Sequence, residues 1–525
     1  MYTLIQKVID LNELDMWYLT VITLIAILVV TIMVLRLEGR RKRLLANKIP
    51  GPDGSIFVGM LPLFLQGPEQ LILNGLKVYQ KYEKSLFKVW VLNNLYIVLT
   101  RPEDIEMVLT NPKLQKKSKE YLVLQESIMG QGIFSIDDIK KWKSNRKMVS
   151  GGFNFTIIKS FIPIFYEESN VLNDILIQKK NLKSNECDIS VPVSMATMEM
   201  IGKTALGVQF NAQNGGRHRF VENLQTAMHA WEYRISHPWY LSKTLFQFSS
   251  VKQKHDQSQK IINEFTDEII NKKLDELNQN ANNKNKVETG DEDVCRKTKT
   301  VIEILLGNYH EMSHEQIRDE LVTIMIGGQE TTAMANACAI FMLAHHPDVQ
   351  NKVFEELQSI FSTGDHNRPP TYEDLQQMEY LERVIKETLR IFPPLPVFGR
   401  SLEEEMKIGE HLCPAGSTLM VGPLFIHSSA QYYTDPEKFN PDNFLPDTCR
   451  SRHPYSFIPF SAGYRNCIGI KYGILQMKTV ISTLVRKNTF FPSERCPTPK
   501  HLRVMFLSTL KFVDGCYVKI VPRTS

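Results

Sequence analysis

The chain has 525 residues, enough to bury a large core, and its 62 lysines and arginines against 57 aspartates and glutamates leave a net charge of only +5. So balanced a charge argues against a nucleic-acid binder. The eight cysteines are scattered with no Cys-x-x-Cys pair, which argues against a zinc ribbon or a disulfide framework and fits a reducing compartment.

Residues 16–35 form a run of about twenty mostly apolar residues without charge, the length that crosses a bilayer. Asp10, Glu13 and Asp15 precede it, and Arg36, Arg40, Arg41, Lys42 and Arg43 follow. That asymmetry predicts a lumenal N-terminus over 1–15, a transmembrane anchor over 16–35, a basic and Pro/Gly linker over 36–52, and a cytosolic domain over 53–525. Lys48-Ile49-Pro50-Gly51-Pro52 reads as a stiff turn between anchor and domain.

The domain reads as mainly α-helical with a small β portion. Residues 86–99 predict a hairpin with apolar runs on either side of Asn93-Asn94. From 102 to 200 the pattern is helical and puts Trp142 and Arg146 four apart on one face, ordinarily a structural pair. Residues 205–260 are helical, with an aromatic cluster (Trp231, Tyr233, Trp239, Tyr240) that fits either a core stripe or a lid touching the membrane. Residues 277–300 are polar and predict a mobile surface loop.

A long helical pattern over 313–344 contains Gly327-Gly328-Gln329-Glu330-Thr331. Two glycines inside a helix cost roughly 1 kcal/mol each against alanine, and such a weak point predicts a local widening. Glu330 followed by Thr331 is an acid and a hydroxyl able to pass protons; taken alone, a back-bonding threonine explains it as well. Glu387 and Arg390 stand at i and i+3 on the next long helix, taken alone a surface pair. Residues 506–513 and 516–521 predict a C-terminal hairpin turning at Asp514-Gly515.

The most informative stretch runs from Phe460 to Gly469. One thiol, Cys467, lies between Gly463 and Gly469 and just before a helical pattern over 470–484, where helix-terminal N–H groups favour a thiolate. A thiolate is the ligand that pushes electron density onto heme iron, and Arg465 stands two residues away to pair with a propionate. A lone cysteine between glycines is otherwise commonly inert.

Phe-x-x-Gly-x-Arg-x-Cys-x-Gly, matched at Phe460, Gly463, Arg465, Cys467 and Gly469, resembles the heme-binding signature of the cytochrome P450 superfamily. The Gly-x-Glu-Thr, Glu-x-x-Arg and Trp-x-x-x-Arg motifs and the meander over 435–444 resemble that family in its own order, from Pro50 onward, and details such as Arg101-Pro102-Glu103 resemble its clan-four branch, which includes insect members. The resemblance implies the P450 fold and an endoplasmic-reticulum monooxygenase with heme b, its iron held by Cys467. It implies propionate contacts from Trp142, Arg146, Arg400 and Arg465, proton delivery by Glu330 and Thr331, and a buried lock formed by Glu387, Arg390 and the meander. Electrons from NADPH would arrive through NADPH–cytochrome P450 reductase, with cytochrome b5 as a second candidate partner, at a basic face of Lys141, Lys143, Lys147, Arg452, Lys471 and Lys478. The substrate would be lipophilic: a fatty acid, a hormone-like lipid or a xenobiotic. Two other readings stand beside it, a heme-thiolate hydroperoxide isomerase or dehydratase and a non-catalytic heme or lipid carrier.

This sequence departs from the pattern at four places. Gly327 stands where many clan-four members carry a glutamate esterified to heme, so non-covalent heme is expected. Asn443 replaces the arginine that usually completes the lock. Tyr464 and Gln476 replace a common proline and glutamate without an evident mechanistic loss.

Overall fold

The computed structural model describes residues 39–523, apart from 55–57, 181–183, 215–218, 285–299, 308–310, 363–366 and 508, together with scattered positions between 18 and 30. The predicted anchor lies almost wholly outside the described residues. Among the described residues no single helix is long and apolar enough to cross a membrane.

The longer helices are α1 (Pro68–Tyr82), α2 (Pro102–Thr110), α3 (Ile139–Ser150), α4 (Ile162–Lys179), α5 (Ser190–Ile201), α6 (Arg219–Ser236), α7 (Lys252–Lys284), α8 (His314–His345), α9 (Pro347–Ile360), α10 (Glu379–Ile391) and α11 (Ile470–Lys487). The strands are β1 (Phe87–Val91), β2 (Asn94–Leu99), β3 (Glu186–Asp188), β4 (Phe398–Leu402), β5 (Met406–Ile408), β6 (His411–Cys413), β7 (Ser417–Val421), β8 (Asn488–Pro492), β9 (Val504–Phe506), β10 (Leu510–Phe512) and β11 (Tyr517–Pro522). The fold is thus mainly helical with small sheets, as the sequence predicts.

Helix α8 is the axis of the molecule. Ser313 caps it by accepting from Gln316 N while the Gln316 side chain accepts from the Ser313 N–H, so two otherwise unpaired donors are satisfied. From Leu321 to Ala344 it is buried on nearly every side, between α5, α10 and α11. A helix apolar all round belongs at the centre of a large core. It continues unbroken through Gly327-Gly328, so the expected widening is absent. The hydroxyls of Thr331 and Thr332 donate to the Gly327 and Gly328 carbonyls and accompany the ladder instead of opening it.

A second, smaller core surrounds a sheet ordered β1-β2-β7-β4, in which β2 and β7 are parallel and the other pairs antiparallel. The β1–β2 hairpin turns at Leu92-Asn93, one residue earlier than predicted, with Leu92 in the left-handed region at φ 53°. β5 pairs with β6 in a separate hairpin.

The C-terminal hairpin differs from its prediction. β10 pairs with β9, Leu510 opposite Phe506, whereas β11 crosses to another sheet between β3 and β8. Val518 and Ile520 alternate inward in β11 and are buried with the main core, so burial overrides the Asp514-Gly515 turn signal. The polar stretch after Leu277 also differs: it continues α7 as far as Lys284, and the remainder of the predicted loop, 285–299, lies outside the described residues.

Candidate active site

Cys467 lies in the loop that leads into α11. Its N–H donates to Phe460 O at 2.9 Å, closing the loop, and Gly469 N donates to its Sγ at 3.3 Å. Gly463 is required at this turn: it has φ +66°, and an added Cβ would stand 2.0 Å from the Leu109 carbonyl oxygen. The thiol is accessible by area yet surrounded by protein, because it faces a cavity of about 250 Å³ rather than bulk water. Burial pushes its pKa up, while the Gly469 N–H and the Arg146 charge act in the opposite direction. The thiolate expected from helix position alone therefore needs a further positive charge at sulfur.

On the Cys467 side of this cavity four cations converge. Asp138 caps α3, which carries Trp142 and Arg146 one turn apart. Arg146 donates to the Asn466 carbonyl oxygen at 2.7 Å and to its Oδ1 at 2.6 Å, which fixes the residue before the thiol. The Arg465 guanidinium lies 4.2 Å from the Trp142 ring centre and donates to the Gln115 and Ile136 carbonyls at 3.1 and 2.9 Å. Arg400, in β4, is 2% exposed and bridges backbone to backbone with Lys117. The Lys117 ammonium stands 4.3 Å from the Tyr121 ring and 4.7 Å from that of Phe134.

These groups strain one another electrostatically. Burial, then Arg400 and Arg146, pull the Arg465 guanidinium down to about 9. Burial and the three arginines hold Lys117 well below the ordinary lysine value. Among the described residues lining the cavity the one carboxylate is Glu330, and its side chain is paired with Lys511 at 2.6 Å. A buried like-charge cluster of this kind is stable only with an anionic partner of matching charge.

The predicted lock behind the site is present. Arg390 and Glu387 form two hydrogen bonds of 2.8 Å in nearly complete burial. The other Arg390 donors reach His427 O, Pro436 O and Lys438 O at 3.0, 2.8 and 3.0 Å. Asn443, in place of an arginine, donates its amide to Glu387 Oε1 at 3.1 Å, beside Asn440 N at 2.8 Å. Arg452 holds this turn from outside by donating to Asn443 O at 2.8 Å.

A family model described as "Cytochrome P450" matches residues 49–512. The chain belongs to the cytochrome P450 family. Among its relatives are cytochrome P450 4c3 of Drosophila melanogaster, 32% identical over 92% of this chain and 91% of that protein, and cytochrome P450 4c21 of Blattella germanica, 33% identical over 89% and 92%. Cytochrome P450 4V2 of Homo sapiens is 33% identical over 76% of each chain. This P450 is accordingly a monooxygenase.

The residues present fit the heme that the family implies. Two propionates are the dianion that three buried cations and the half-buried Arg146, mutually repelling, lack, and Cys467 supplies a thiol on the same cavity. A Cβ at Gly469 would stand 3.8 Å from the Cys467 Sγ, in ordinary van der Waals contact on the same cavity. The structure brings Trp142, Arg146, Arg400, Phe460, Arg465, Cys467, Gly469, Glu330 and Thr331 to one cavity, and Gly327 with them. Gly463 shapes the loop, and Glu387, Arg390 and Asn443 stand behind it.

One predicted docking residue is misplaced. Lys478 is 1% exposed and spans from α11 to Glu382 at 2.7 Å and Leu375 O at 2.8 Å, so it belongs to the core. Its neighbours on α11 are apolar at helical spacing, but a lysine among them gave no reason to expect an inward charge. Three residues of the site escaped sequence reasoning as site residues: Lys117, Asn466 and Lys511. Each acts through a partner distant in sequence, so no local pattern announces it. Trp231 resolves as cavity wall, 6% exposed, while Tyr233 and Tyr240 stack on each other at 5.6 Å.

Proposed function

We propose that this P450 inserts one oxygen atom from O2 into an uncommitted C–H bond of a lipophilic substrate, using NADPH through a separate flavin reductase at the endoplasmic-reticulum membrane. Three buried cations and the half-buried Arg146, on the same cavity as Cys467, carry the reading. Heme b bound there supplies oxygen activation, and every other contribution belongs to the chain.

Cys467 Sγ would ligate iron, with the Gly469 N–H and the Arg146 charge favouring the thiolate against burial. Arg146, Arg400, Arg465 and Lys117 would hold the propionates, with the Trp142 ring 5.6 Å from the Arg146 guanidinium and 4.2 Å from that of Arg465. Ile324, Ile326, Phe398 and Trp231 line the cavity with apolar surface, exclude water and select lipophilic substrates. Thr331 Oγ holds a proton at the cavity wall, and Glu330 Oε replenishes it from the side of β10. Lys143, Lys147 and Lys471 are exposed and, with Lys141 and Arg452, offer a reductase a basic face.

The test is product analysis in membranes reconstituted with a flavin reductase and NADPH, offering dodecanoic acid beside a panel of lipophilic xenobiotics. Mass spectrometry locates the added oxygen. Oxygen at the chain terminus assigns a lipid ω-hydroxylase, and oxidation of the xenobiotics alone assigns detoxification. Rearranged hydroperoxide formed without NADPH would overturn the monooxygenase assignment in favour of an isomerase.

A further inference from the structure

The carboxylate of Glu330 has a partner to which no motif points. Lys511, in the middle of β10, holds its ammonium 2.6 Å from Glu330 Oε1 and 3.2 Å from Glu232 Oε1. Thr509, just before the same strand, donates its hydroxyl to Glu330 Oε2 at 3.3 Å. One ammonium therefore joins three elements. They are α8 with the acid–hydroxyl pair, α6 with Trp231 in the cavity wall, and the β9–β10 hairpin that closes beside that wall. The charged groups that meet are Glu330 of α8, Glu232 of α6 and Lys511 of β10.

The side chains of Glu232 and Glu330 are 10% and 13% exposed and that of Lys511 is 31%, so bulk salt screens these pairs only weakly. Burial alone would pull the Lys511 ammonium down, yet Glu330 and Glu232 together hold it above the ordinary lysine value. Neighbouring helix positions point about 100° apart, so Glu330 turns to the hairpin while Thr331 donates to Gly327 O at 2.6 Å. A carboxylate held in this way, although it already stands at the cavity wall, passes a proton there only as its pairing with the ammonium is exchanged. Glu232, the residue after Trp231, draws on that same ammonium, so the hold on Glu330 depends on where α6 stands.

We propose that Lys511 is a positioning residue for proton supply in this monooxygenase: it holds Glu330 through one ion pair and ties that hold to α6 through the other. The proposal rests on Glu330 being the proton donor named above. Two substitutions pull the system in opposite directions. K511M keeps the unbranched stem and leaves two carboxylates without their shared cation, which favours protonation of one of them. E232Q leaves Lys511 to Glu330 alone, which favours the ionised form.

The measurement is infrared titration of the heme-loaded protein, with the Glu330 carboxyl band assigned by its loss in E330Q. The expected result is a protonated band that persists to higher pH in K511M, retreats to lower pH in E232Q, and returns to wild-type behaviour in K511R. Product formed per NADPH should fall about tenfold in K511M, short of the ~10²-fold or more of a lost general acid, and recover in K511R. Unmoved or same-direction bands in both variants would overturn the proposal. If K511M fails to fold, by loss of its thermal transition, E232Q and K511R still decide the direction. An E330Q protein with unchanged coupling would instead refute Glu330 as proton donor, while the band shifts would still report whether Lys511 governs its ionisation.

Discussion

At the residue scale, the site depends on a few side chains whose nearest partners are now known. The Thr331 hydroxyl already donates to Gly327 O, so a proton leaves it only as that bond is exchanged for one into the cavity. Thr331→Ala removes the hydroxyl and leaves the apolar wall intact. NADPH consumption should continue while product per NADPH falls by roughly tenfold to a hundredfold, checked by measuring both in one reaction. Gly327 lines the same cavity, and a Cβ built there meets nothing within 4 Å, so this position offers neither a carboxylate nor a steric demand. Acid–acetone extraction should therefore free all heme from the polypeptide, and heme retained on the chain would refute non-covalent binding.

At the element scale, the meander shows how a departure from the usual motif is absorbed. An arginine at position 443 would add charge to a carboxylate that already has Arg390. Asn443 supplies a single amide donor at 3.1 Å, and the Asn440 N–H and the Arg452 contact to Asn443 O complete the turn. Asn443→Ala deletes a buried hydrogen bond to a charged acceptor and should cost about 1.5–3 kcal/mol in chemical unfolding. Glu387→Gln should cost more, about 3–5 kcal/mol, because it leaves the Arg390 guanidinium buried without its anion. Equal losses in the two variants would mean that the amide, rather than the ion pair, dominates the lock.

At the scale of the whole molecule, α8 ties the cation cluster to the core through two adjacent acids. Asp319 accepts from Gln131 N at 2.7 Å, and Glu320 accepts from Ile133 N and Asn145 Nδ2 at 2.9 Å each. The same loop presents the Ile136 carbonyl to Arg465. Burial pushes Glu320 up to about 8 from an ordinary 4.5, and Asp319 up to about 6. Between pH 4.5 and 8 the folded chain keeps a proton on Glu320 that the unfolded chain has lost, so stability falls as pH rises through that window. Glu320→Gln mimics the protonated form in both states. Thermal unfolding of E320Q from pH 5 to 8 should show a flatter pH dependence than the wild type, the difference amounting to a few kcal/mol at most.

Several features were legible in the chain itself. The loop around Cys467, the central helix, the Glu387–Arg390 pair and the predominance of helix are local patterns, and local sequence carries them because spacing along one element fixes which side chains share a face. The placing of Arg465 and Arg400 at the cavity was expected from the family resemblance, whereas the carbonyls of Gln115 and Ile136 that hold Arg465 were not. The strand partners of residues 517–522, the inward course of Lys478 and the ion pairs of Lys511 were not legible. Each depends on which distant surface an element meets: Val518 and Ile520 drew β11 away from the nearer strand, and Glu382 and Leu375 drew Lys478 into the core. Sequence alone determined the chemistry this protein carries, because ligand and motif residues lie within a few positions of one another. Tertiary structure decided how that chemistry is held, because the charges that balance one another here come from segments hundreds of residues apart, and only folding brings them within reach.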